Sequence, residues 1–245
     1  MKMDNNELWK KSDTDIFWAE IAPCEHIVQI YESDEVFLDA LTGFVGGGIK
    51  TNESVIVIAS QAHLNSLHER LNSYAIRVDD LISEERYIPL DADLILSKFM
   101  VNNWPDEELF IKTVASLMGS LRKHDRPIRA FGEMVAILWA KGNSGATVYL
   151  EHLWNRFCEK AAFCLFCAYP KNGFTEDMNS SMQHICSAHS KMIKGSGSSL
   201  TALQYKSTAP ETGHYKVINS RNFNAINPFF LIPAIRAGHN PSNNQ

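Results

Sequence analysis

Short apolar runs rich in β-branched and aromatic residues alternate five times with longer stretches of helical period, and no other feature restricts the fold as strongly. The runs are His26–Tyr31, Ser54–Ala59, Tyr87–Leu90, Pro127–Phe131 and Phe163–Tyr169. Ser54–Ala59 is apolar at consecutive positions, which marks a strand covered on both faces, as in the centre of a parallel sheet. After the first run, Val36, Phe37, Leu38, Leu41 and Phe44 recur at helical spacing; after the second, Leu64, Leu67, His68 and Leu71 form one stripe. Ser33 suits the N-cap of the first helix, and Asp34 and Glu35 suit its positive end. Gly46-Gly47-Gly48 reads as that helix's stop. Further helices are expected from Asp91 to Met100 and over Glu107–Lys123, Met134–Ala140, Ala146–Ala161 and Glu176–Lys191. Strands and helices in this order specify an α/β fold of three layers, with a mostly parallel central sheet and right-handed crossovers.

A chain of 245 residues, 45% hydrophobic, is long enough to build one large core. The reading divides it into an N-terminal segment (1–20), one domain (21–194) and a flexible C-terminal tail (195–245). The tail opens on Gly195-Ser196-Gly197-Ser198-Ser199 and is rich in Asn, Ser, Pro and Thr. Its one apolar patch, Pro228–Pro233, suits docking on the core or on a partner. The net charge is −5 and no Lys/Arg run exceeds two residues, so the electrostatic footprint of a nucleic-acid binder is missing. Met1–Asp15 has no apolar signal region, and Ala130–Ala140 and Ala161–Tyr169 fall short of the roughly 20 residues a membrane span needs. The expectation is a cytoplasmic protein, away from membranes, with Cys24, Cys158, Cys164, Cys167 and Cys186 as free thiols.

The sequence lacks the usual catalytic constellations. A phosphate loop between first strand and first helix needs glycines and a Lys-Ser/Thr pair. Here the junction reads Tyr31-Glu32-Ser33-Asp34-Glu35, with carboxylates where a triphosphate would sit. Gly46–Thr51 has glycines and a Lys-Thr pair but follows the helix instead of preceding it, so its amides line no helix N-terminus. No GxSxG nucleophile elbow occurs. His63 and His68, and likewise His184 and His189, are five apart, which leaves their rings about 140° apart around a helix. Cys164 and Cys167 have CxxC spacing, but within a strand they point to opposite faces and read as core. No metal and no cofactor is expected.

In a doubly wound sheet, ligands bind outside the carboxyl ends of the strands. That rule nominates Tyr31, Glu32 and Ser33, the Ser60-Gln61 junction, Asp91, Gly132-Glu133, and Tyr169-Pro170. Glu133 is either a ligand anchor or a helix-start carboxylate held by backbone amides. Trp139, Glu151 and Trp154 lie on the two helices that follow, with Glu151 and Trp154 on one face; the tryptophans are either pocket walls or core. His26 opens the first strand, where a structural hydrogen bond is the alternative to a ligand contact, and His189 reads as a solvated residue near the last helix end.

Taken in order, several of these segments resemble the MEDS domain, the sensory domain of methanogen and methylotroph DcmR-type proteins. They are His26 with Gln29–Tyr31, Asn52–Ala59, Arg129–Met134 with Leu138-Trp139 and Gly142, Leu150–Asn155, Cys167–Pro170, and Ile185-Cys186 with His189-Ser190. The match runs from Cys24 to Ile193. The resemblance implies a fold of the RecA/KaiC-like type lacking a standard phosphate loop, and a sensory role for small, hydrocarbon-derived ligands. No helix-turn-helix or kinase motif follows Lys194, so the output would pass to a separate partner such as a histidine kinase or transcription regulator. The expected site is a pocket at the strand ends with Glu133 and His26 as polar anchors and Tyr31, Trp139 and Trp154 as walls; Glu32, Ser33, Glu151 and Tyr169 complete it. Two other classes stay open: a nucleotide-binding relative with residual ATP binding or hydrolysis, and an interaction scaffold. Oligomeric state stays open too.

Overall fold

The computed structural model describes residues 18, 21, 25–174, 179–195, 200–206 and 215–218. Ten strands, β1 (His26–Tyr31), β2 (Ser54–Ala59), β3 (Tyr87–Asp91), β4 (Met100–Val101), β5 (Trp104–Pro105), β6 (Ile128–Gly132), β7 (Cys164–Pro170), β8 (Lys191–Gly195), β9 (Leu200–Lys206) and β10 (Tyr215–Ile218), are found among these residues. The helices are α1 (Asp34–Lys50), α2 (Gln61–Ser73), α3 (Val78–Ser83), α4 (Ala92–Leu96), α5 (Glu107–Leu121), α6 (Met134–Ala140), α7 (Ser144–Ala161) and α8 (Asn179–Ser187).

Six strands in the order β8-β1-β7-β6-β2-β3 pair in parallel, and β9 and β10 extend the β8 edge antiparallel. All six residues of β2 are buried, as its unbroken apolar run requires of a strand with helices on both sides. Alternate residues divide between two cores. Val55, Val57, Phe131, Phe166 and Ile27 face α1, α2 and α3, whereas Ile56, Ile58, Ala130, Leu165 and Val28 face the layer of α4 to α8. This is the three-layer α/β fold with a mostly parallel sheet.

The structure corrects the glycine reading. Gly46–Gly48 lie inside α1, which continues to Lys50 and is capped by Thr51 before Asn52 turns the chain at φ 61°. The glycines are there for packing: a Cβ on Gly48 would stand 2.6 Å from Cδ of Arg129, and one on Gly47 would stand 2.9 Å from the carbonyl oxygen of Trp18. The Asp91–Met100 helix shortens to α4, after which the chain forms the small β4-β5 hairpin.

Trp18 is fully buried against Phe44 and Phe166, so the core reaches into the 1–20 segment. At the other end, residue 194 lies within β8, and the segment expected as a loose tail supplies β9 and β10. A six-residue span such as Lys191–Gly195 with its preceding serine carries too little periodicity to separate a strand from a helix end. The Pro228–Pro233 patch and Met1–Asp15 lie outside the described residues. Among the described residues, no helix is long and apolar enough to cross a membrane.

Candidate functional site

At the carboxyl ends of the strands, the turn from β1 to α1 consists of Glu32 and Ser33 alone. Ser33 is extended (φ −149°, ψ 154°) and its hydroxyl accepts from Val36 N, so it serves as the helix N-cap. Two residues cannot form the glycine-lined loop that wraps a triphosphate, and Glu32, Asp34 and Glu35 surround the place with carboxylates. The exposed Glu32 pairs with Lys171 at 2.7 Å.

Beside this turn, Glu133 is the N-cap residue of α6, but its side chain makes no capping bond. It reaches across the strand ends instead: Oε2 accepts from Ser60 N at 2.7 Å and Oε1 meets His63 Nδ1 at 2.8 Å. The Glu133 hydrogen bond raises the His63 pKa above the ordinary imidazole value, outweighing the burial that lowers it. Phe37 stands edge-on to His63 and stacked on Tyr31. Burial first, and the Glu133 charge second, push the Tyr31 phenol pKa up. Of the expected residues, Tyr31, Glu32, Ser33 and Glu133 therefore do gather at the strand ends, and His63 and Ser60 join them.

The other five make their contacts elsewhere, although Tyr169 itself lies at the carboxyl end of β7. Being the first residue of a parallel strand, His26 occupies the opposite, amino end of the sheet, so it cannot share a pocket with Glu133. Trp139 is core: its indole N–H donates to Gly173 O at 2.7 Å and its ring packs on Tyr169 and Phe174. Trp154 is also core, wedged edge-on against Phe110 between α5 and α7. Both rings fill space between layers, as large aromatics at helical spacing on a buried face do.

His26, Glu151 and Tyr169 come together elsewhere, in a buried polar cluster between the β1–β7 pair and α7 and α8. Cys167 and His189 complete it, and sequence reasoning passed over both. His26 and Cys167 lie on one face of adjacent strands, in register through His26↔Leu165 and Val28↔Cys167. Glu151 projects from α7, and His189 sits in the turn between α8 and β8. The four side chains of His26, Glu151, Cys167 and His189 are each at most 2% exposed, and their donor atoms lie within 4.8 Å of one another.

Three members are held from outside. The Tyr169 hydroxyl donates to Oε1 of Glu151, leaving Oε2 facing inward. Nδ1 of His189 is 2.6 Å from the carbonyl of Ile185, to which it donates, so Nε2 turns a lone pair inward. The His26 backbone is clamped to Ser190: its N–H donates to Ser190 Oγ at 3.0 Å, and its carbonyl accepts from Ser190 N at 2.7 Å. Burial governs the electrostatics. It lowers the His189 pKa to about 4, lowers His26 well below the imidazole range with help from His189, and raises Glu151 to about 8. The Cys167 thiol and Tyr169 phenol are pushed up by burial and then by Glu151. His189, expected to be solvated, is thus among the most buried polar residues. Cys164 points into the opposite core, so the CxxC pair does not converge, as its strand spacing requires. His63 and His68 also stay apart, His68 bonding the Tyr87 hydroxyl at 3.1 Å.

The family model of the MEDS domain, described as the methanogen/methylotroph DcmR sensory domain, matches residues 25–190. The chain belongs to the MEDS family. The match contains β1 to β7, the strand-end residues and all four members of the buried donor cluster. The MEDS fold is also similar to a solved Pyrococcus horikoshii OT3 protein studied as PH0250, with 9% identity and a TM-score of 0.53 over 84% of this chain and 98% of that one. The flagellar accessory protein FlaH of Methanocaldococcus jannaschii is similar at 10% identity and a TM-score of 0.46, over 81% of this chain and 80% of that one. No curated protein matches the chain.

Proposed function

We propose that this MEDS domain is the non-catalytic input module of a cytoplasmic signal-transduction system, binding a small organic molecule and passing its state to a separate protein. The family's sensory character carries the reading, and the β1–α1 turn supports it. A chain built on a parallel sheet of this kind would need amides and a lysine at that turn to hold a nucleotide. It has a two-residue turn bearing Glu32 and Ser33, followed by Asp34 and Glu35.

The ligand is placed at the strand ends, where Glu133, His63 and Tyr31 offer one hydrogen-bonding edge beside the Phe37 ring. Carboxylates surround that edge, so the ligand chemistry favoured is an uncharged or cationic molecule with a hydrogen-bond donor. A hydrocarbon derivative carrying a hydroxyl or amine fits this description. The output partner is a histidine kinase or a transcription regulator, reached by contact.

Two measurements test the reading. Native mass spectrometry of freshly purified protein, followed by thermal-shift screening of small alcohols and amines, is expected to find a ligand whose stabilisation Glu133→Gln abolishes. Equilibrium dialysis with labelled ATP and magnesium is expected to show no binding; saturable ATP binding would replace the sensor reading with that of a nucleotide-binding relative.

A further inference from the structure

The two nitrogen–oxygen distances inside the buried cluster are longer than hydrogen bonds. Nε2 of His26 and Nε2 of His189 stand 3.5 Å and 3.4 Å from the same carboxylate oxygen, Oε2 of Glu151. Nitrogen–oxygen hydrogen bonds run at about 2.7–3.2 Å. Sγ of Cys167 lies 3.4 Å from His26 Nε2 and 3.9 Å from Glu151 Oε2. His189 Nε2 has no hydrogen-bond partner although it is buried, and a buried polar atom left in that state costs about 1–3 kcal/mol.

Three of these four distances, 3.4–3.5 Å, match the edges of a coordination tetrahedron, and the Cys167–Glu151 edge at 3.9 Å is longer than an ideal one. A zinc ion bound at about 2.0–2.1 Å to nitrogen, 2.0–2.2 Å to oxygen and 2.3 Å to sulfur holds its ligands about 3.3–3.6 Å apart. We propose that His26 Nε2, His189 Nε2, Cys167 Sγ and Glu151 Oε2 form a four-coordinate site for one divalent transition-metal ion, with zinc as the resident metal. Two imidazoles and a thiolate with one carboxylate make a donor set that favours zinc over magnesium or calcium. A thiolate and a carboxylate neutralise the dication, so a loaded site carries no net charge in a dry core. Outer partners are in place on two ligands, Tyr169 on the free carboxylate oxygen and the Ile185 carbonyl on His189, while Ser190 fixes the His26 backbone.

The site is closed, with four protein donors and no access for water. Its ion therefore organises structure instead of activating a nucleophile. It joins β1, β7, α7 and the turn entering β8, which makes the β8 edge of the sheet conditional on metal. This inference stands apart from the strand-end ligand and does not depend on it.

The test uses the full chain, unfolded with a chelator under reducing conditions and refolded with cobalt(II) or zinc(II), so that the ion can reach the interior. The expected result is one equivalent of cobalt, with the intense visible absorption of a four-coordinate ion and a thiolate-to-cobalt charge-transfer band. Cys167→Ser removes the charge-transfer band, Cys164→Ser keeps it, and His189→Gln weakens binding by at least about 10-fold. Zinc raises the melting temperature of wild type and of Cys164→Ser. Failure of the wild-type chain to bind cobalt or zinc stoichiometrically overturns the proposal, as does a thiolate band that survives Cys167→Ser. Since the wild-type and Cys164→Ser titrations are decisive by themselves, misfolding of the other variants leaves the outcome clear.

Discussion

Replacing Arg129 with methionine tests whether the amino end of the sheet is held by one buried ion pair. The guanidinium is 1% exposed. Its Nε donates to Oε2 of Glu53 at 2.7 Å, its Nη2 donates to Oε1, and its Nη1 donates to the carbonyls of Trp18 and Phe44 at 2.9 Å each. Arg129 thereby ties β6 to the end of α1 and to the N-terminal segment. Removing one partner of a buried pair costs about 3–5 kcal/mol, because the remaining charge is left unpaired. The Glu53 side chain keeps 14% exposure and recovers part of its hydration, which places the loss near about 3 kcal/mol. For a chain of this size that lowers the melting temperature by roughly 6–12 °C. Glu53→Gln keeps the shape and removes the charge, at about 1.5–3 kcal/mol. Urea unfolding of the wild type, both single variants and the double variant gives the coupling energy, expected to exceed about 1 kcal/mol and to change little with added salt. A coupling below about 0.5 kcal/mol, or one that disappears in high salt, would show that the pair behaves as an exposed one and would refute the argument.

The pH dependence of stability reports on Glu133. Because His63 binds its proton more tightly in the folded state, its contribution is complete below the unfolded imidazole value of about 6.5 and is lost as pH rises through the elevated folded value. Urea melts across that range are expected to show this fall in the wild type and a flatter profile in Glu133→Gln. Tyr169→Phe removes the hydroxyl that donates to Glu151 and is expected to cost about 1–3 kcal/mol by urea unfolding, with no change in secondary structure by circular dichroism. Gly48→Ala places a methyl group 2.6–2.7 Å from Arg129 and Val55, and overpacking there is expected to cost about 1–3 kcal/mol, read as a lowered urea midpoint. A neutral or stabilising result at Gly48 would mean that the Arg129 side chain moves aside at no cost.

The alternation of apolar runs and helical stretches was enough, read alone, to set the layers, the central position of Ser54–Ala59 and the carboxylate-bearing β1–α1 turn, because each depends on residues a few positions apart. Strand parity likewise separates Cys164 from Cys167 without any knowledge of neighbours. Three consecutive glycines, by contrast, carry no local sign that Trp18 and Arg129 will press against them, so the end of α1 was not legible. Nor was the donor cluster. His26 meets Cys167 only because β1 and β7 pair in parallel at one register, 141 positions apart, and His189 reaches Glu151 only because β8 pairs with the other edge of β1. Periodicity reports which face a side chain takes; strand order and register, set by burial of the whole sheet between two helical layers, decide which distant side chains share that face.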